Sequence, residues 1–271
     1  MPTTVEEDLA ASTSTYRERR TPPDRAPRTL FVTNDFPPRI GGAQSYYWGV
    51  IRTLDPSEVA ILAPAHIDAA AFDATHPYTV VRASTSVLWP TDAMLHTVEQ
   101  MAEREGAELI QLGHPLPAGL IGPRLRRRRG IPYVVFLGGA EVTLPGVVPG
   151  VNNLLRHVLG NAAMLLAVSD YTAAEARKQT GGRVPAEVLR PPLPVDDFVP
   201  AAGDEAVSLR ERFGIDGQVV VCVRRLVPRK GQDKLIEALA LLRSEFPRLH
   251  LVIIGEGRLA TGLYDLSLIH I

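Results

Sequence analysis

Arg225 and Lys230 are the residues of this chain whose type and spacing most readily do chemistry. They lie in VVCVRRLVPRKGQD, Val220 to Asp233, one at the end of an apolar β-type run and one where a helical pattern begins. The turn between them also carries Pro228 and Arg229, and Gly231 follows Lys230. Arginine clamps phosphate oxygens with a planar fork, and lysine adds a mobile point charge. Two such cations are the least that stabilises a pyrophosphate leaving group without a metal ion. Spacing alone leaves a surface basic turn equally open, with Arg224 and Arg229 pointing elsewhere.

Three other stretches carry chemistry-bearing residues. In NDFPPRIGGAQ, Asn34 to Gln44, the pair Gly41 and Gly42 precedes a helical pattern. A Cβ there would obstruct a ligand approaching the backbone, and free N–H groups at a helix start favour an anion or a sugar hydroxyl. Pro37 and Pro38 stiffen this loop and Arg39 adds a cation beside the glycines. A glycine turn that merely starts a helix is the competing reading, and the pattern is not the GxGxxG dinucleotide fingerprint. In Gly138-Gly139-Ala140-Glu141, Glu141 is placed to accept hydrogen bonds from hydroxyls or to orient a catalytic group. A solvated acid in a turn is the alternative. Arg124, Arg126, Arg127, Arg128 and Arg129 put five cations into six residues at a helix end. They complement the helix dipole. An apolar helix with such an end can also lie on anionic lipid; a solvated helix end is the plainer reading. No aromatic platform accompanies the patch, which argues against nucleic acid.

Other chemistries lack their signatures. There is no Walker lysine pattern, no zinc-type Cys/His cluster and no serine nucleophile elbow. The seven histidines show no ligand spacing. His114 follows a strand pattern and could line a cleft, although an ordinary polar loop residue is the plainer reading. The lone Cys222 sits in an apolar run and reads as a small core residue. Hydrophobic residues make up 45% of the 271 and charged ones 22%, with a formal net charge of −1. Such a balance fits a folded α/β protein and gives no global reason to expect nucleic acid. The acidic start and the lack of an apolar run long enough to span a bilayer point to a cytosolic chain with at most peripheral membrane contact.

The elements that must position these loops alternate between strand and helix. Strand patterns at 29–33, 58–62, 79–82, 107–111, 133–137, 164–168 and 187–190 are separated by helical patterns at 43–54, 91–104, 117–128, 151–159 and 171–179. This rhythm predicts right-handed βαβ units around a parallel sheet. Residues 1–27, rich in Thr, Ser, Pro and charge, read as a disordered arm. The segment RPPLPVDDFVPAAGD, with four prolines, marks the domain boundary, giving a first domain over 28–196. The rhythm restarts with a helix at 208–213, strands at 218–223 and 249–254, and a helix at 232–244. Residues 197–258 therefore read as the truncated start of a second α/β domain, and 259–271 as an aberrant tail outside the pattern.

DFPPRIGGAQ, Gly139-Ala140-Glu141, RLVPRKG at 225–231 and Gly255-Glu256-Gly257 together resemble the retaining, nucleotide-sugar-dependent glycosyltransferases of the family 4 type. The resemblance runs from about Thr29 to Arg258, and is nearest to actinobacterial mannosyltransferases that build phosphatidylinositol mannosides. It implies a GT-B fold with a Rossmann-like amino-terminal acceptor domain and a second Rossmann-like domain for the donor. It implies a nucleotide-sugar donor, GDP-mannose in that subgroup, a lipid or glycan acceptor, no metal and no other cofactor. Gly41 and Gly42 would lie near the donor phosphates, Arg225 and Lys230 would neutralise the diphosphate, and Glu141 would serve catalysis. Arg39 and the arginines at 124 and 126–129 would contact acceptor or membrane, on the inner face of the plasma membrane. Where many relatives place a histidine before Gly-x-Glu, this chain has Gly138, and Arg224 replaces a serine or glycine before the phosphate arginine. The family's later ribose-gripping glutamates are expected beyond residue 271. Two alternatives remain open: an inactive sugar- or lipid-binding relative or partner subunit, and a nucleotide-sugar epimerase-like protein.

Overall fold

The computed structural model describes residues 25–143, 150–192, 198–200 and 203–269. The chain divides into two compact units, 1–194 and 195–271. In the first, the elements run β1 (Thr29–Val32), α1 (Gly42–Ile51), β2 (Val59–Ala63), α2 (Ala69–Asp73), β3 (Thr79–Arg82), α3 (Asp92–Arg104), β4 (Leu109–Leu112) and α4 (Ile121–Arg129). They continue with β5 (Tyr133–Leu137), α5 (Ala140–Thr143), α6 (Val151–Gly160), β6 (Met164–Ala167), α7 (Asp170–Thr180) and β7 (Ala186–Val188).

All seven strands pair in parallel, in the order β3-β2-β1-β4-β5-β6-β7. Alternate side chains of each strand enter opposite layers, as the pleat requires. Leu30 and Val32 join Ala60, Leu62, Val135 and Leu137 under α3, α4, α6 and α7. Phe31, Ile61 and Phe136 face the other way and pack on Tyr46, Tyr47 and Ile51 of α1. Helix α3 shows why these residues form helices. Thr91 caps it by accepting from the Met94 N–H at 3.2 Å, and Met94, Leu95, Val98, Met101 and Ala102 form one buried stripe.

The strand order reverses between β1 and β4, so the loops leaving their carboxyl ends flank a topological switch point. Those loops are Thr33–Gly41 and Gly113–Pro117.

The second unit contains α8 (Gly203–Arg212), β8 (Val219–Val223), α9 (Gln232–Leu242), β9 (His250–Ile254) and α10 (Ala260–Ile269). Strands β8 and β9 pair in parallel, Val219 with His250 through Val223 with Ile254. Among the described residues β8 has no second neighbour. Val219, Val220, Val221 and Val223 are accordingly exposed, and Cys222 is half-buried instead of sitting in a core.

Three expectations change. The tail at 259–271 was expected to fall outside the α/β pattern, yet 260–269 is helical. Leu259, Leu263 and Leu266 recur at helical spacing and pack with Leu226 and Ile236. The end of the arm is tied down: Arg25 grips Glu108 through two bonds of 2.7 and 2.8 Å. Residues 1–24, and 193–197 at the domain boundary, lie outside the described residues. Helix α2 is too short to show a period and was not expected.

Candidate active site

The first unit builds a polar crevice at the switch point. After β1, Thr33 still follows the ladder, its N–H donating to the Leu62 carbonyl at 3.1 Å. The chain then turns, with the Asp35 N–H donating to Thr33 Oγ1 at 3.0 Å. The Asp35 carboxylate accepts from Gln44 Nε2 at 2.6 Å and lies 3.3 Å from His114 Nδ1, which follows β4. This contact uses the Nδ1 side of the ring and leaves Nε2 on the side away from the carboxylate. Tyr47 stands under this group and donates to the Gly113 carbonyl. Burial pushes its phenol well above the ordinary value, and the Asp35 and Glu141 carboxylates add to that. It stays a donor, and Asp35 and Glu141 both bear on it.

Glu141 opens the short helix α5 and is half-buried. Its Oε1 accepts from the Gly138 N–H at 2.6 Å. A Cβ built on Gly138 would lie 3.5 Å from that oxygen, an ordinary contact, so the position has room for a larger side chain.

The glycine loop is braced from behind. Arg82, at the end of β3, pairs with Asp73 through two bonds of 2.9 and 2.7 Å and donates to the Pro37 carbonyl at 2.7 Å. Its guanidinium also lies over Phe36. Gly41 precedes α1 in extended backbone, and a Cβ there would overlap the Gln44 amide that holds Asp35. Gly42 is exposed and nothing stands within 4 Å of where its Cβ would be, so the uncapped N–H groups of α1 are open to a ligand. Arg39 is exposed on the same loop.

In the second unit Arg225 leaves β8 and Lys230 ends a single 3₁₀ turn, Pro228–Lys230, before α9. Gln232, at the start of α9, donates to the Arg225 carbonyl at 2.9 Å. The Gly255-Glu256-Gly257 backbone runs beside this turn. The Arg224 N–H donates to the Ile254 carbonyl at 3.0 Å, and that of Leu226 to Glu256 at 2.8 Å. Gly255 (φ 154°) and Gly257 (φ 155°) adopt backbone that side chains rarely take, and a Cβ on either would overlap the carbonyl of Arg224 or Leu226. Among the described residues none of Arg224, Arg225, Arg229 and Lys230 pairs with a carboxylate. Four unneutralised cations and an uncapped helix start therefore gather at one strand–helix junction. Such an arrangement is chemically suited to a polyanion.

Residues 40–196 match the family described as Glycosyltransferase Family 4, and 208–270 match Glycosyl transferases group 1. The chain belongs to glycosyltransferase family 4. This family 4 chain is 32% identical over 89% of its length to the GDP-mannose-dependent monoacylated alpha-(1-6)-phosphatidylinositol monomannoside mannosyltransferase of Corynebacterium glutamicum. It is 36% identical over 84% to the GDP-mannose-dependent alpha-(1-6)-phosphatidylinositol monomannoside mannosyltransferase of Mycolicibacterium smegmatis. It spans 64% and 60% of the length of these relatives. A crystal structure of Anabaena Alr3699/HepE in complex with UDP matches with a TM-score of 0.74 at 18% identity, covering 90% of this chain and 66% of that one. At that identity it shows the shared fold, which is α/β of the GT-B type.

The family 4 chain uses its basic helix end differently from the sequence expectation. Arg124 pairs with Asp92, and Arg126 donates to the Asn161 carbonyl at 2.5 Å. Arg128 and Arg129 lie 3.1 and 3.7 Å from the carboxylate of Glu99, which is buried in α3. Among the described residues only Arg127 of the five has no such partner. Four cations thus fasten α4 to α3 and to the end of α6. Because α4 runs from the end of β4 to the start of β5, its basic end lies at the sheet edge opposite the Asp35–His114 crevice. Asp35 and Gln44 were read as parts of a motif, without roles, and His114 as an ordinary loop residue. The one available signal was that His114 follows a β-run.

Proposed function

We propose that this chain is the acceptor domain and part of the donor domain of a retaining hexosyltransferase that moves mannose from GDP-mannose to a phosphatidylinositol-type glycolipid. The observation that carries the reading is the set of unneutralised cations at the β8–α9 junction. Arg225 and Lys230 bind the diphosphate and take up the charge that develops as the anomeric C–O bond breaks. The acceptor oxygen bonds to the same face of that carbon, giving GDP, a glycosidic bond and a released proton. The Asp35–His114 pair orients the acceptor hydroxyl, Glu141 fixes the loop beneath it, and Gly41 and Gly42 admit a phosphate to the start of α1. The names of the curated relatives support GDP-mannose and a phosphatidylinositol acceptor. Membership of family 4 favours transfer over epimerisation. On this reading the protein works peripherally at the inner face of the plasma membrane, with Arg39, exposed on the crevice side, among its contacts.

Gly138 favours a second reading, a relative that binds sugar or lipid without turnover, because glycine supplies no side-chain hydrogen bond before Glu141. Incubation with labelled GDP-mannose and a lipid extract separates the two. The test uses the purified chain and a form extended to the length of the relatives. Transfer by the extended form supports the enzyme. Saturable binding without transfer by either form supports the second reading.

A further inference from the structure

We propose that the first unit holds a single alkyl chain of a lipid acceptor in the cavity between the end of β3 and the start of α3. The inference rests on the glycolipid reading above and adds a site to it. The cavity has a volume of about 280 Å³, and Leu62, Val81, Val87, Leu88, Trp89 and Met94 supply its apolar walls.

Its polar groups are already spent on the protein. The Thr85 hydroxyl donates to the Val87 carbonyl at 2.8 Å, and that of Thr97 to Ala93 at 3.0 Å. Thr91 Oγ1 accepts from the Met94 N–H, and Arg82 is taken by Asp73 and Pro37. Ser84 remains, exposed at the rim. A sugar entering this space would give up water for almost no hydrogen bonds, whereas a methylene chain loses nothing.

The cavity also adjoins the crevice. The Leu88 N–H donates to Asn34 Oδ1 at 2.6 Å, and Asn34 Nδ2 returns a bond of 3.4 Å to the Leu88 carbonyl. Asn34 precedes Asp35, so one residue ties the cavity wall to the loop that holds His114. A headgroup beside His114 would thus carry its tail toward Leu88. Trp89 is half-exposed at the mouth, and fully exposed Ile40 and Ile67 follow β1 and β2 on the same sheet edge. Those are side chains suited to a lipid surface.

The test titrates the full chain with a decyl mannoside brominated on its alkyl chain, below its micelle concentration, and follows tryptophan emission. Saturable quenching is expected. It is lost in Trp89→Phe, which keeps the half-buried Trp48, and weakened about tenfold in Ala93→Phe, which plugs the cavity from the exposed face of α3. Mannose alone should give none. No saturable quenching of the native chain, or equal affinity in Ala93→Phe, overturns the site. Because the readout needs no turnover, quenching without mannosyl transfer by the extended form keeps the cavity and sinks the transferase reading. Transfer to lipid without quenching does the reverse.

Discussion

His114 Nδ1 and Asp35 Oδ2 stand 3.3 Å apart across the point where the strand order of the first unit's sheet reverses. Neither residue is conspicuous in the sequence, yet the pair sits where an α/β sheet leaves a crevice. If Asp35 fixes the tautomer of His114, the two act as a unit. Asp35→Asn and His114→Gln should each reduce transfer by the form extended to the length of the relatives about 100-fold. The double variant should be little worse than either single one. Melting of the chain should stay within about 2 °C of native, because both groups line an open crevice. Multiplicative losses in steady-state assays would show that they act separately.

Gly255 and Gly257 hold the backbone that flanks Arg225. Gly255→Ala forces a Cβ onto the Arg224 carbonyl and should cost about 2–4 kcal/mol. Gly42→Ala enters open space and should change stability by less than about 1 kcal/mol. Urea melts of the two variants check the contrast, and equal effects would contradict it.

The basic end of α4 is a fastening first. Replacing Arg128 and Arg129 together by alanine strands a buried carboxylate, and should destabilise by about 1–3 kcal/mol, reduced by the exposure of the two guanidiniums. Glu99→Gln in that background should restore part of the loss. Arg127→Ala should leave stability unchanged. Sedimentation with anionic vesicles separates fastening from membrane contact, since Arg39→Ala should weaken association without lowering the melting temperature, whereas Arg127→Ala should change neither.

Among the described residues the two ring nitrogens of His76 have no hydrogen-bond partner, and the ring packs against Trp48, Phe72 and Tyr78. Burial pushes the imidazole below its ordinary 6.5; Asp73 opposes this and Arg82 adds to it. Below 6.5 the unfolded chain takes up a proton that the folded chain resists. Stability from this site is therefore full above 6.5 and falls as pH drops toward the folded-state value. His76→Phe should flatten the pH dependence of melting between about pH 7 and 5, gaining about 2–4 °C on native at the acidic end. Parallel melting curves would remove His76 from the pH response.

Much of the fold was legible because it rests on local signals. The apolar runs of β1, β2 and β5 and the Thr91 cap with its buried stripe announce their elements without knowledge of neighbours. The grouping of RLVPRKG with Gly-Glu-Gly was legible as a pair of motifs, and parallel pairing of β8 with β9 explains why they meet. The partners of Asp35, Arg82 and Arg128 were not legible. Each reaches a residue on another element, and neither composition nor period encodes which of several acids or cations a side chain will meet. Helix α10 was missed for a different reason: its leucine spacing was present, but residues 259–271 were read against the strand–helix rhythm instead of by period.

Turnover by the form extended to the length of the relatives, with Arg225→Ala and, separately, Lys230→Ala, tests the central claim most directly. These side chains are assigned to the leaving diphosphate, so their loss should act on the transition state. With GDP-mannose and a phosphatidylinositol mannoside acceptor, kcat should fall at least about 100-fold in each variant, while the KM for acceptor stays within about threefold of native. Native kcat in either variant would contradict the account.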